Sequence, residues 1–303
     1  MKWVVKAAAQ EILGRLPARL ADPIYHGLQR AVRDIPVDIQ GQRSFIGETA
    51  SFLQELRGKK LNGLRIVELG SGWHPVLPLL LICEFGAATV HTFDVSQHYS
   101  PARIAEAADE IMKNATHLRA DSFLRRAALT GNLPDSIHYH PRTKIQEIQE
   151  VSGGPVDLAL SRSVLEYATS EEIRHIHETS RRWLTHDALW IHLVGTSDDR
   201  ARQDRRLPQF DFLRYSKNTW ARISGNRYAY KNRLRLPEYR SLFQSAGWQV
   251  EREKSIITES AIASLNLVPI HRDFAQFSAE ELVAGAIRFA LVPRETQPNR
   301  RIN

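Results

Sequence analysis

Over the first 60 residues, apolar positions recur at helical spacing with charged residues between them, broken near Pro17, Pro23 and Pro36. This pattern predicts polar-faced amphipathic helices. From Leu64 the period changes. LRIVELG (64–70), TVHTFDV (89–95), SIHYHP (136–141), VDLALSR (156–162) and ALWIHLV (188–194) are short apolar runs that predict strands. Helical sequence lies between them over 75–85, from Arg103 to about Leu129, and from Ser170 to Leu184. The third of these opens on an N-cap serine with Glu171 and Glu172 in the first turn, where acids suit the helix dipole. Strands alternating with helices of this length predict a parallel sheet covered on both faces. Residues 198–240 interrupt the alternation. A helix from Pro237 to Ala246, closed by Gly247, then leads into WQVEREKSI (248–256), helix-forming SAEELVAGA (278–286) and a last strand, IRFALVP (287–293). The expectation is an α/β chain with seven strands.

Composition narrows the class. The chain has 303 residues, 43% hydrophobic and 25% charged, enough apolar surface to form a large core and to exclude extensive disorder. A single cysteine, Cys83, excludes an intrachain disulfide and a cysteine-built zinc knuckle, and fits a reducing, cytoplasmic setting. The longest apolar run, Val76 to Cys83, is far short of the roughly 20 residues a spanning helix needs. Lys6, Gln10 and Glu11 interrupt the apolar stretch that a signal peptide would keep whole. Net charge is +7, and residues 200–240 hold twelve Lys or Arg against three acids. That local balance of +9 leaves −2 for the remainder, so the basic character belongs to one segment.

The stretch that carries chemistry is Ile66-Val-Glu-Leu-Gly-Ser-Gly-Trp-His-Pro75, a strand entering a glycine turn and then a helix. Glycines there let the backbone turn sharply and approach a ligand at the carboxyl end of the strand. Asp94 ends the second strand, where a carboxylate can accept both hydroxyls of a ribose. A nicotinamide or flavin site would place a third glycine at position 75, which is Pro75, and a strand turn without any ligand is the remaining alternative.

These residues resemble the class I S-adenosylmethionine-dependent methyltransferases, of the kind acting on small molecules. Glu68, Gly70 and Gly72 match that family's first motif, and Asp94 matches its ribose-binding acid. The resemblance covers about 64–293 and implies a Rossmann-like seven-stranded sheet with helices on both faces. To this the chain adds an N-terminal helical extension (1–60) and a basic, aromatic insertion (198–240) that divides the core into 61–197 and 241–303. The implied cofactor is S-adenosyl-L-methionine, held by Glu68, Gly70, Ser71, Gly72 and Asp94 with Ser161 and Arg162 from the fourth strand. Two departures stand out: Trp73-His74-Pro75 replaces the third glycine, and Thr143 and Lys144 stand where the family often has an adenine-binding acid.

Nucleic-acid amino methyltransferases carry Asn or Asp followed by Pro-Pro and an aromatic after the fourth strand. This chain has Ser161-Arg-Ser-Val-Leu-Glu-Tyr167, closer to small-molecule enzymes. The expected partner is therefore a small polar or anionic methyl acceptor in preference to a nucleic acid. Tyr167, Arg214, Tyr215, Trp220, Asn232 and Arg233 are candidate acceptor contacts, the last five on a lid of interleaved aromatics and arginines. The same mixture is compatible with an RNA- or protein-docking surface, or with packed structure. His192, Asp198 and Asp199, at or just past the end of the fifth strand, are candidate general bases. A non-catalytic cofactor-binding subunit is a further alternative. His138/His140 and His175/His177 lack a third ligand, so no metal site is expected. Trp3, Val4, Val5, Ile12 and Leu13 form an apolar stripe suited to packing on the sheet or pairing two copies, and less to a bilayer surface, which Glu11 and Asp22 oppose.

Overall fold

The protein is described by a computed structural model covering residues 12–17, 19–21, 24, 25, 27, 36–115, 118–226 and 228–294. Trp3, Val4 and Val5 of the N-terminal stripe lie outside the described residues. Seven strands, β1 (Arg65–Leu69), β2 (Thr89–Asp94), β3 (Ile137–Pro141), β4 (Val156–Arg162), β5 (Leu184–Gly195), β6 (Trp248–Ile256) and β7 (Ala286–Pro293), form one sheet in the order β3-β2-β1-β4-β5-β7-β6. β1 to β5 pair in parallel, while β7 runs antiparallel between β5 and β6. The chain order reverses at β1, so the carboxyl ends of β1, β2 and β4 border the crevice where ligands bind such sheets.

Alternation along the strands divides the core. Ile66, Val90, Leu158, Leu160 and Ile191 face helices α1 (Ile39–Arg57), α2 (Val76–Cys83), α3 (Pro101–Lys113) and α4 (Asp121–Thr130). Val67, Leu69, Phe93, Ala159 and Trp190 face α5 (Ser170–Ser180) on the opposite side. The helix expected from Arg103 to Leu129 is two helices, α3 and α4, because each ends on its own cap, Asn114 and Gly131. The α5 N-cap is Thr169, not Ser170; its hydroxyl accepts from Glu172 N–H while Glu172 bonds back to the Thr169 N–H.

The insertion is packed structure. Short α6 (Asp199–Gln203), a 3-10 turn at Asp211–Arg214 and α7 (Lys217–Ser224) precede α8 (Leu236–Ser245), which packs on the α5 face. A second excursion between β6 and β7, containing α9 (Glu259–Leu265) and α10 (Ala279–Val283), joins the first. Phe210, Phe212, Leu213 and Trp220 bury against Ala261, Val268, Phe274 and Val283, forming a third apolar core. The two excursions thus stabilise each other by burying the aromatics that made the segment look like a lid. No helix among the described residues is long and apolar enough to cross a membrane.

Candidate active site

The glycine turn is organised by backbone geometry. Gly70 and Gly72 sit at φ +83° and +65°. The Gly70 N–H donates to Phe93 O (2.8 Å), and a Cβ at Gly70 would overlap the Val164 side chain. Only glycine fits there, on both counts. At Gly72 a Cβ would meet nothing within 4 Å, so the backbone is open to a ligand. Asp94 closes the turn from β2. Its Oδ2 accepts from the Ser71 N–H (3.0 Å) and hydroxyl (3.2 Å), and its Oδ1 from the Ser96 N–H (2.8 Å). The carboxylate is held in place at the rim, with the His98 ring 3.5 Å away. Thr143, at the end of β3, donates its N–H to Asp94 O (2.9 Å), tying the third strand to the same point.

Glu68 is 6% exposed, and its Oε2 has no hydrogen-bond partner. Burial pushes its carboxyl up to about 8, with the Asp94 charge adding to the rise and Thr92 opposing it. A buried carboxyl oxygen without a donor is costly unless a ligand supplies one. Trp73 packs on His98 and lies under the Arg103 guanidinium (5.3 Å), while buried His74 bonds Glu106 and Arg103 (3.1 Å each).

One strand further, Ser161, His192 and His177 form a buried chain. His177 Nδ1 is 2.6 Å from Ile173 O, which can only accept, so Nδ1 carries the proton. His177 Nε2 then accepts from His192 Nε2 (3.0 Å), and His192 Nδ1 accepts from the Ser161 hydroxyl (2.7 Å). Burial holds both rings neutral, His177 lowered to about 4 and His192 well below its ordinary value, with His177 adding to the latter. The chain ends on a carbonyl and has no exit for a proton. His192, expected as a base, is instead fully enclosed with both nitrogens engaged.

Past β4 the chain turns through Ser163 at φ +57°, a strained position for serine. Arg162 reaches Asp38 at the start of α1 (2.8 Å) and keeps a buried, unpartnered Nε. The next turn places Glu166 at the end of β5. Glu166 is 2% exposed; Oε1 accepts from the Gly195 N–H (3.1 Å), and Oε2 has no partner. A Cβ on Gly195 would sit 2.7 Å from that Oε1 and 3.6 Å from the Arg202 guanidinium, so glycine is what permits this approach. Burial raises the Glu166 carboxyl to about 7 against the opposing charge of Lys231. Beside it, Asp199 accepts from Tyr167 Oη (2.7 Å) and Lys231 Nζ (2.8 Å). Burial would raise Asp199, but Lys231 outweighs it and keeps that carboxylate ionised below its ordinary value. Past the end of β5, towards β6 and β7, lies a cavity of about 420 Å3, lined by Ser197, Asp198, Arg202, Gln209, Ile256 and Thr258.

Other expected site residues are committed internally. Asp198 caps α6 and pairs with Arg200 (2.6 Å). Arg214 pairs with Asp211 (2.7 Å), and Tyr215 packs against Trp220 and Arg200. Trp220 donates to Lys231 O, Asn232 to Leu165 O and Ala168 O, and Arg233 to Phe212 O and Tyr215 O. Tyr167, 46% exposed, is the expected acceptor contact that stays on the rim. Glu166 carried no motif in the sequence; its neighbour Tyr167 was the only signal. Arg235, also unexpected, is fully buried and donates to Arg233 O, Thr196 O and Leu282 O. Among the described residues no group of three potential ligands could hold a metal ion.

Comparison with known proteins adds the following. No protein-family model matches the chain, and no curated protein matches it. Solved structures with a similar backbone include magnesium protoporphyrin IX methyltransferase from Synechocystis (14% identity, 89% of this chain and 94% of that one, TM-score 0.46). A cyclopropane synthase from Mycobacterium tuberculosis (13%, 81% and 83%, 0.46) and an S-adenosylmethionine-dependent methyltransferase from Mesorhizobium loti (17%, 82% and 99%, 0.44) are similar at the same level. Such likeness concerns the course of the backbone only. The fold is the Rossmann-like methyltransferase fold. The strand order and the antiparallel β7 of this chain define it.

Proposed function

We propose that the protein is an S-adenosylmethionine-dependent methyltransferase acting on a small polar or anionic metabolite. The observation that carries the reading is the pairing at the β1–β2 rim of an oriented carboxylate, Asp94, with a buried acid, Glu68, whose Oε2 lacks a donor. A ribose diol suits Asp94, an amino group suits Glu68, and the open backbone at Gly72 admits the ligand between them. Ser71 and the unpartnered Nε of Arg162 complete this side, with Ser161 fixed in orientation by His192. The bound cofactor would supply an electrophilic methyl group. This chain's own part is to hold that group at the rim, exclude water and present the acceptor in line.

A small acceptor is supported by the 161–167 segment, which lacks the Asn- or Asp-Pro-Pro-aromatic pattern of nucleic-acid amino methyltransferases. The alternative of RNA or protein docking through the basic segment draws little support, because most of its cations have partners within the chain, with Arg205, Lys217 and Arg222 left exposed. Arg200, Arg206, Arg214 and Lys231 pair with acids, and Arg233 and Arg235 with backbone carbonyls. Calorimetric titration with S-adenosylmethionine and S-adenosylhomocysteine tests the reading: micromolar binding in the wild type, lost at least about 100-fold in Asp94→Ala, is expected. Failure of both compounds to bind sinks it.

A further inference from the structure

We infer that Glu166 is the proton acceptor of the site, and that the methyl acceptor is accordingly a hydroxyl or amine compound. The inference rests on the methyltransferase reading and deepens it. Three observations carry it. First, position: Val164 lies against Gly70 of the cofactor turn, and two residues later Glu166 bonds the last residue of β5, Gly195. Glu166 therefore stands on the same rim as the glycine turn, two strands beyond it. Second, an unspent atom: Oε1 is fixed by the Gly195 N–H, while Oε2 is buried and has no partner. A protic ligand group would satisfy it. Third, the surroundings distinguish it from its neighbours. Asp199 is saturated by Tyr167 and Lys231, Asp198 by Arg200, and the His192 chain ends on a carbonyl.

The charged and titratable groups around Glu166 are Lys231, Asp199, Tyr167 and Tyr239, with Arg202 on the far side of Gly195. Burial raises the carboxyl to about 7 against the lowering charge of Lys231, where it can take up a proton and return it to solvent at physiological pH. In the balanced step one C–S bond breaks with its electron pair left on sulfur, and a bond forms from the acceptor oxygen or nitrogen to that carbon. The acceptor's proton passes to Oε2 of Glu166. A thioether acceptor, which has no proton to lose, would not call for such a group at this place.

The test has a binding arm and a kinetic arm. Calorimetry of S-adenosylmethionine and S-adenosylhomocysteine at pH 7, in two buffers of different ionisation enthalpy, counts the protons exchanged on binding. Both compounds carry the amino group expected at Glu68, so the difference between them isolates the sulfonium charge. Extra proton release with S-adenosylmethionine, lost in Glu166→Gln, is the expected result; equal counts in the wild type overturn the proposal. The glutamine keeps an oxygen for the Gly195 N–H, so the fold should survive, as an unchanged melting temperature would verify. In the kinetic arm, hydroxyl and amine metabolites are screened by S-adenosylhomocysteine release. Glu166→Gln should lower kcat about 100-fold or more and remove the ionisation near pH 7, with KM for S-adenosylmethionine within about twofold. Unchanged turnover would overturn the assignment. If neither cofactor compound binds the wild type, the methyltransferase reading falls, and the role of Glu166 with it.

Discussion

The two rims of the crevice are built by different means. At the β1–β2 rim the site is mostly backbone: two glycines at positive φ, the Ser71 amide, and one acid from the next strand 23 residues away. At the β4–β5 rim it is mostly side chains drawn from distant segments. Glu166 meets Gly195 across 29 residues, Asp199 meets Lys231 across 32, and Asn232 braces the Leu165 carbonyl across 67. A backbone site depends on local conformation, so it tolerates little change in a few consecutive residues. A side-chain site depends on packing, so its residues can be anything the surrounding core supports. The first rim suits a constant ligand and the second a particular one.

Several substitutions would sharpen or break this contrast. The largest effect is expected from Gly70→Val. It combines positive-φ strain with overlap on Val164, and chemical denaturation should show a loss of about 3 kcal/mol or more. Gly72→Ala, with the same strain but open space, should cost only about 1 kcal/mol. Equal losses would mean that backbone strain alone governs this rim. For the other rim, Arg235→Leu takes donors from three buried carbonyls and should cost about 3 kcal/mol, although it touches no expected ligand.

pH separates the rims next. Glu68 is raised to about 8, so the folded state holds a proton that the unfolded chain gives up near 4.5. Its share of stability is full below pH 4.5 and is lost as pH rises towards 8. Glu68→Gln should therefore melt higher than wild type at pH 8, with the advantage shrinking towards pH 5. His177 and His192 act in the opposite direction. Lowered by burial, they stay neutral while the unfolded chain protonates, so stability falls as pH drops from 6.5 to about 4. Because Glu68 and Glu166 act oppositely over the same range, the comparison is with His177→Gln, whose melting temperature relative to wild type should rise as pH drops from 6.5 to 4; a constant difference would contradict the tautomer chain. The smallest effect is expected from Arg206→Ala. Its pair with Asp204 is on the surface, so the melting temperature and any weak affinity for single-stranded RNA should barely move. A steep loss of RNA binding would restore the docking reading of the basic segment.

How much of this was readable beforehand follows the same division. The strand-glycine-turn at 64–72 and the acid at 94 could be recognised because their roles are fixed by local geometry and short spacing. The aromatics and arginines of 198–240 were misleading, since composition cannot distinguish a lid from a core whose other half, 257–283, arrives later in the chain. His192 looked like a base because a histidine at a strand end titrates near neutrality when exposed. Ser161 on the neighbouring strand and His177 on α5 made it part of the core instead.

By itself, the sequence determined the seven strands, the alternation that buries both faces of the sheet, and the backbone turn that prepares the first rim. Those follow from periodicity and from conformations that only glycine adopts. Tertiary structure decided which charges are spent and which remain. Glu166 is one of several polar groups past β4 and β5 until folding buries it, pairs its neighbours and leaves one oxygen open. Ionisation and reactivity depend on what surrounds a group in space, and the segments that surround this one lie up to about seventy residues apart.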